Sequence, residues 1–172
     1  ITHAAYKDKD GKWLAATDVT KKNEKYFSKT TDEEVSCIGV KKMSKSSKNV
    51  VSASDTVKTY GSDTTRMFIL SDTPPIKGFE WTDAGIKGAS KFVNRLYQFI
   101  SSHVEMIKNS STTVIEHDKL NDKQKALRVK THRAIADYTK CLEQFQFNKN
   151  IAIIRELTNE LFGYKNIDED KD

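Results

Sequence analysis

Between Lys41 and Asn49 the hydrophobic pattern of this chain changes its period. Before that stretch, short apolar runs alternate with polar residues, as half-buried strands require. After it, apolar residues recur three and four positions apart, the spacing of one helix face. Such a chain cannot be a uniform bundle or a uniform β-sandwich. It reads as a small β segment joined, through a Lys- and Ser-rich stretch, to a set of helices.

In the β part, Thr2–Tyr6 and Trp13–Ala15 flank a Lys7–Lys12 turn, where Asp10-Gly11 supplies the positive φ angles of a hairpin. Glu34–Val40 is a second strand candidate, with Val35 and Cys37 on one side. A sheet this short cannot bury a face by itself, so it needs another part of a larger protein to lean on.

In the helical part, Ser54-Asp55 caps a short helix to Tyr60, which Gly61 closes in the left-handed region. Ser62-Asp63 starts a second, carrying Met67, Phe68 and Leu70, and Pro74-Pro75 stops it. Thr82-Asp83 caps a long helix with Ile86, Ala89, Val93, Leu96, Ile100 and Val104 on one face, and Asn109–His117 reads as a polar connection. Another long helix runs from about Asn121 with Leu127, Thr131, Ile135, Tyr138, Leu142 and Phe145 inward, until Asn148-Lys149-Asn150 breaks it. A last helix, Ile151–Phe162, presents Ile151, Ile154, Leu157 and Leu161, and the charged tail Asp168–Asp172 reads as disordered. Short connections between three amphipathic helices imply an antiparallel bundle, so the expected fold is mainly α with a short N-terminal β segment.

Composition narrows the function classes. The 172 residues suffice for one domain or two small ones. No apolar run approaches the roughly 18–20 residues of a membrane span. Ile1-Thr2-His3-Ala4 is neither an initiator methionine nor a signal segment, which reads as a piece cut from a longer protein. The net charge of +5 favours a polyanionic partner. Cys37 and Cys141 stand far from any Cys or His at ligand spacing, and His3, His103, His117 and His132 are scattered, so neither a disulfide framework nor a metal site is expected. The aromatic residues of the helices fall at core periodicity, which speaks against a base-stacking platform.

Chemistry concentrates at Lys42-Met43-Ser44-Lys45-Ser46. Two ammonium groups three residues apart on a tight loop can both reach charge that builds on departing phosphates. Two hydroxyls can hold the loop or bond phosphate oxygens, and Met43 can pack beneath. The alternative is a solvated linker, since Lys and Ser abound in linkers.

The pentapeptide resembles the signature loop of class I aminoacyl-tRNA synthetases, and its flanks argue against the linker. Asn49-Val50-Val51 continues the loop as in that family, and Tyr60–Phe68 is similar to the helix pair that follows it. Pro74–Gly85, Phe92–Tyr97 and Phe147–Leu161 resemble the leucine enzymes in particular. The resemblance implies residues 1–51 as the end of a catalytic domain, 52–81 as a helical connector of the stem-contact kind, and 82–172 as part of a helical tRNA-binding domain. It implies ATP-dependent activation of leucine to leucyl-adenylate and transfer to tRNA(Leu), in the cytoplasm, by a monomer with no membrane association. Catalytic roles fall to Lys42 and Lys45, ATP binding to Lys42, Met43, Ser44, Lys45 and Ser46, and Mg2+ comes with ATP. No His-x-Gly-His sequence, the family's other signature, occurs in the chain, so the isolated chain is expected to be inactive. An isoleucine, valine or methionine enzyme and a non-catalytic RNA-binding module derived from a synthetase stay open as alternatives.

Other candidates follow from the same resemblance. Lys87, Lys91 and Arg95 recur every four residues and can line tRNA phosphates, or simply form a solvated face. Lys130, Arg133 and Lys140 form a weaker stripe. Arg66 either couples the connector to the catalytic body or pairs with Asp63, and Trp81 reads as a packing residue. The chain departs from the family at Ser47-Lys48, where glycine is usual at the second position. If that position needs a left-handed backbone, Lys48 costs about 1–2 kcal/mol relative to glycine; its ammonium is otherwise a candidate extra phosphate contact.

Overall fold

The computed structural model describes residues 1–110 and 116–164. Most of the Asn109–His117 connection and the tail Asp168–Asp172 therefore lie outside the described residues. The chain divides into two compact units, one of Ile1–Thr65 with Lys77–Lys87, the other of Arg66–Ile76 with Gly88–Asp172.

The first unit is built on a five-stranded antiparallel sheet in the order β2-β1-β5-β4-β3 (β1 Thr2–Lys7, β2 Trp13–Leu14, β3 Val19–Lys22, β4 Lys25–Ser28, β5 Glu34–Lys42). It is larger than the short β segment expected, because β3 and β4 form a hairpin that the sequence does not announce. Its turn is Asn23-Glu24, with both residues at positive φ (47° and 66°). Asparagine tolerates that conformation and glutamate rarely does, so the usual Asn-Gly or Asp-Gly signal is missing. In the Asp8–Lys12 turn only Gly11 is left-handed, at φ 77°. The Asp8 carboxylate instead accepts from the backbone N–H groups of Asp10 (3.1 Å) and Lys12 (2.8 Å).

Strand β5 carries a bulge. Tyr6 faces Cys37 but Ala5 faces Gly39, so Ile38 is the extra residue, and Gly39 takes φ 94°. A one-residue slip reverses which face each later side chain occupies. The Val35/Cys37 alternation therefore ends at the bulge, and Lys41 and Lys42 emerge on faces opposite to those a regular strand would give them. Ala5 and Val35 are buried in this unit, with Phe79, Trp81 and Ile86. Residues 79–81 bond back to the start of β1: Thr2 N–H donates to the Phe79 carbonyl and Trp81 N–H to the Thr2 carbonyl, each at 2.8 Å. Trp81 is thus a packing residue, as expected. Helix α1 (Ala53–Tyr60) is capped by Ser52, whose hydroxyl accepts from Asp55 N–H at 3.2 Å, two residues earlier than the sequence suggested. Gly61 follows it at φ 83°, ψ 159°, positive in φ but extended in ψ.

The chain passes into the second unit within α2 (Ser62–Ser71) and again within α3 (Asp83–Ser102), whose cap is the Thr82 hydroxyl accepting from Gly85 N–H at 3.1 Å. Helix α3 stops before Val104, because the Phe99 carbonyl accepts from Ser102 (2.9 Å) and from the His103 ring (2.7 Å), and a short α4 (Val104–Asn109) follows. Helix α5 (Asp122–Glu143) begins with a reciprocal Asn121/Gln124 capping box, and α6 spans Phe147–Gly163. The break between them is at Gln144–Gln146, where Phe145 takes φ 54°, and not at Asn148–Asn150, which form the first turn of α6.

Helices α5 and α6 run antiparallel, with Lys130 near the start of one bonded to Glu160 near the end of the other at 2.6 Å. Helices α3 and α6 run parallel, since Phe92 meets Arg155 and Phe99 meets Phe162. The result is the up-down-up arrangement that the spacing implies. The inward face of α5 differs from expectation. Leu127, Thr131, Ala134, Tyr138 and Cys141 are half-buried, whereas Ile135, Leu142 and Phe145 are 56%, 45% and 69% exposed.

Candidate functional site

Strand β5 ends at Lys42, and the loop to Ser52 begins there. A single buried side chain organises it. Asn49 is 1% exposed. Its Oδ1 accepts from the Ser44 N–H at 2.9 Å, and its Nδ2 donates to the carbonyls of His3 and Lys41 (both 3.2 Å) and more weakly to that of Lys42 (3.4 Å). The Asn49 carbonyl in turn accepts from His3 Nδ1 at 3.1 Å, which fixes the proton on that ring nitrogen. One amide therefore ties β1, β5 and the loop together. The Met43 N–H adds a bond to the Ile1 carbonyl at 3.2 Å.

Inside the loop, Ser44 is the hub. Its hydroxyl lies 3.1 Å from that of Ser46, donates to that of Ser47 at 3.0 Å and accepts from the Ser47 N–H at 3.2 Å. Lys48 N–H closes a turn on the Lys45 carbonyl at 3.2 Å. Lys48 takes φ 49°, so the left-handed backbone that glycine would supply is present with a lysine in it. Met43 is half-buried, while Lys42, Lys45 and Lys48 are exposed and form no ion pair among the described residues. Three unneutralised ammonium groups and a serine cluster on a loop anchored at its base make an anion-facing element. Elsewhere on the sheet, lysines pair with acids, as in Lys9–Glu33 (2.6 Å) and Lys25–Glu34 (2.8 Å). The hydrogen bond and charge of Glu33 raise the Lys9 pKa.

Residues 29–82 match the family described as tRNA synthetases class I (I, L, M and V), a span that contains the whole loop. The chain is 39% identical over 161 residues to a leucine--tRNA ligase of Granulibacter bethesdensis, covering 94% of this chain and 18% of that protein. It is 46% identical over 121 residues to the leucine--tRNA ligase subunit beta of Aquifex aeolicus, covering 70% of this chain and 42% of the subunit. These matches make the chain similar to a segment of the class I tRNA synthetases. The crystal structure of the ternary complex of Agrobacterium radiobacter K84 agnB2 LeuRS-tRNA-LeuAMS superposes with a TM-score of 0.64 and 26% identity, over 72% of this chain and 16% of that one. The chain thus spans less than half the length of each of these relatives.

The remaining candidates are dispersed. Lys87 and Lys91 are exposed on α3, but the Arg95 guanidinium lies over the Phe162 ring, 4.2 Å from its centroid, so Arg95 helps hold α3 to α6. Lys130 is engaged by Glu160, and Arg133 and Lys140 are exposed. Arg66 is exposed and forms no ion pair with Asp63 among the described residues. Cys37 and Cys141 are both free thiols. Among the described residues, no helix is long and apolar enough to cross a membrane.

A concavity of about 520 Å3 opens between α5 and α6 with Lys130, Arg133, Asp137, Glu156 and Glu160 on its walls. Its charges are mixed and it holds none of the loop residues, so it is not where phosphate chemistry belongs. A smaller apolar cavity of about 200 Å3 is lined by Met67, Leu70, Phe92, Tyr138, Ile154 and the buried Asn150, whose side-chain amide has no partner. Sequence reasoning overlooked Asn49 as a functional residue. The available signal was an asparagine three residues past the last motif serine, in a loop whose other polar residues all look solvated.

Proposed function

We propose that this chain is part of a leucine--tRNA ligase and supplies the loop that handles the ATP phosphates together with helices that dock tRNA(Leu). The observation that carries this reading is the exposed Lys42/Lys45 loop anchored by buried Asn49, within a segment whose relatives are leucine--tRNA ligases. The leucine carboxylate attacks the α-phosphorus of ATP, the bond to pyrophosphate breaks, and negative charge grows on the departing phosphates. Lys42 and Lys45 stabilise that charge, an effect worth most when the donors are held in place before the reaction. Ser44 and Ser46 set the loop's shape, and Met43 seats it. The adenylate then passes its leucyl group to the terminal ribose of tRNA(Leu).

Mg2+ enters as part of the substrate, on the ATP phosphates. Among the described residues no cluster of three His, Cys, Asp or Glu side chains offers a protein-borne site, and the loop's own groups are cations and hydroxyls. In this reading residues 1–51 close the catalytic domain, 52–81 form the connector and 82–172 contribute to the tRNA-binding domain. Lys87 and Lys91 are the tRNA-backbone contacts, while Arg95 belongs to the packing beneath them. The monomeric state and cytoplasmic location implied by the resemblance stand with this reading.

The test is amino-acid dependence of ATP–pyrophosphate exchange and tRNA charging by the full-length protein. Exchange driven by leucine, and charging of tRNA(Leu), are expected. Exchange driven by isoleucine or valine in preference to leucine would reassign the substrate. No exchange with any amino acid would favour a non-catalytic RNA-binding module.

A further inference from the structure

We propose that Asn49 is the positioning residue of the loop: it acts on the reaction through Lys42 and Lys45, by fixing the backbone from which both project. The inference rests on the functional reading above and adds a residue to it.

Lys42 is the last residue of β5, and Lys45 lies three residues beyond it, past the only backbone N–H that Asn49 holds inside the loop, that of Ser44. The Asn49 amide donates to carbonyls on both sides of the β1–β5 pair and accepts from Ser44 with its other end. An amide carries a donor and an acceptor on one rigid plane and so makes both kinds of bond. Aspartate has the same shape but cannot donate to the His3 and Lys41 carbonyls, and alanine can do neither. At 1% exposure, water does not replace the lost partners, so the loop's base has to rearrange. The loop holds itself only through serine hydroxyls and one turn bond, from Lys48 to Lys45. Without the Asn49 side chain the serine cluster still forms, but only the Met43–Ile1 bond and the His3 bond to the Asn49 main-chain carbonyl still tie the loop to β1. A displacement of the ammonium groups by about 1 Å is enough to cost on the order of 10²-fold in rate.

The experiment uses the full-length protein in leucine-dependent ATP–pyrophosphate exchange, with Asn49→Ala, Lys45→Ala and the double variant. The expected result for Asn49→Ala is a fall in kcat on the order of 10²-fold with the KM for leucine unchanged. In the Lys45→Ala background the same change should cause a smaller further loss, short of the product of the two single effects, because only Lys42 is then left for Asn49 to position. A structural role alone would lower the amount of folded enzyme and leave the kcat of the folded fraction and the additivity intact. Full additivity, or an unchanged kcat, overturns the proposal. Asn49→Asp keeps the shape without the donor and carries the same test should Asn49→Ala not accumulate. If neither variant folds, Asn49 is a determinant of the fold and the proposal is likewise overturned. If Lys45→Ala itself leaves exchange intact, the functional reading has failed, an outcome separate from the failure of Asn49.

Discussion

Replacing Lys48 by glycine should stabilise the sheet unit. Lys48 sits at φ 49° with its side chain exposed and unpaired, so the lysine contributes backbone strain and no contact that offsets it. A left-handed conformation costs a residue with a Cβ about 1–2 kcal/mol. Glycine removes that cost but adds unfolded-state freedom worth roughly 0.4–1 kcal/mol, which leaves a net gain of about 1 kcal/mol. Both tryptophans of the chain, Trp13 and Trp81, belong to this unit, so tryptophan fluorescence follows its melting without interference from the bundle. For a unit of this size, each kcal/mol moves Tm by about 4–8 °C. Lys48→Asn should rise similarly, since asparagine tolerates the left-handed region. Lys48→Ala keeps the strain and removes the charge, so it should melt with the wild type. A gain in Lys48→Ala equal to that in Lys48→Gly would refute the reasoning, because relief of charge repulsion among the loop lysines would then be the cause.

Other outcomes follow from buried groups. Asn150 is 4% exposed with both side-chain polar atoms unpaired beside an apolar cavity, so Asn150→Leu should stabilise the bundle by about 1–3 kcal/mol, read as a higher helix-melting midpoint by circular dichroism; a lower midpoint would show that the amide has a partner after all. Burial, with Cys37, Tyr26 and Asp83 adding to it, raises the Tyr6 pKa. The unfolded tyrosine ionises near its ordinary value of about 10, while folded Tyr6 keeps its proton to higher pH. Its contribution is therefore fully present below that value and is lost as pH rises through the folded pKa. The urea midpoint should fall over that alkaline window in wild type and less in Tyr6→Phe; equal falls would place the effect elsewhere.

The elements legible in the sequence are those with local causes. Thr82, Asn121 and Pro74-Pro75 start and stop helices through groups that lie within one turn, and each does so in the structure. The left-handed backbone at position 48 has a different source: it is suggested by the glycine usual there in the family the loop resembles, and Lys48 adopts it. What escaped depends on partners far along the chain. The β3–β4 hairpin turns on Asn23-Glu24, whose conformation is held by pairing on β5 and not by its own preference. On α5, spacing favoured the large Ile135 and Leu142, yet Ala134, Tyr138 and Cys141 are half-buried instead, a choice of face that depends on α6 and not on the period of α5 itself. Asn49 escaped because the partners that make it more than a loop residue, His3 and Lys41, lie on two different strands.

Lys45 is assigned above to charge that develops only as pyrophosphate leaves. Leucine-dependent ATP–pyrophosphate exchange by the full-length protein, wild type against Lys45→Ala, tests it most directly. A fall of about 10²–10³ in rate is expected, with the KM for leucine little changed. Near-normal exchange in Lys45→Ala would contradict it, and would leave the loop as an anchored but chemically idle connection.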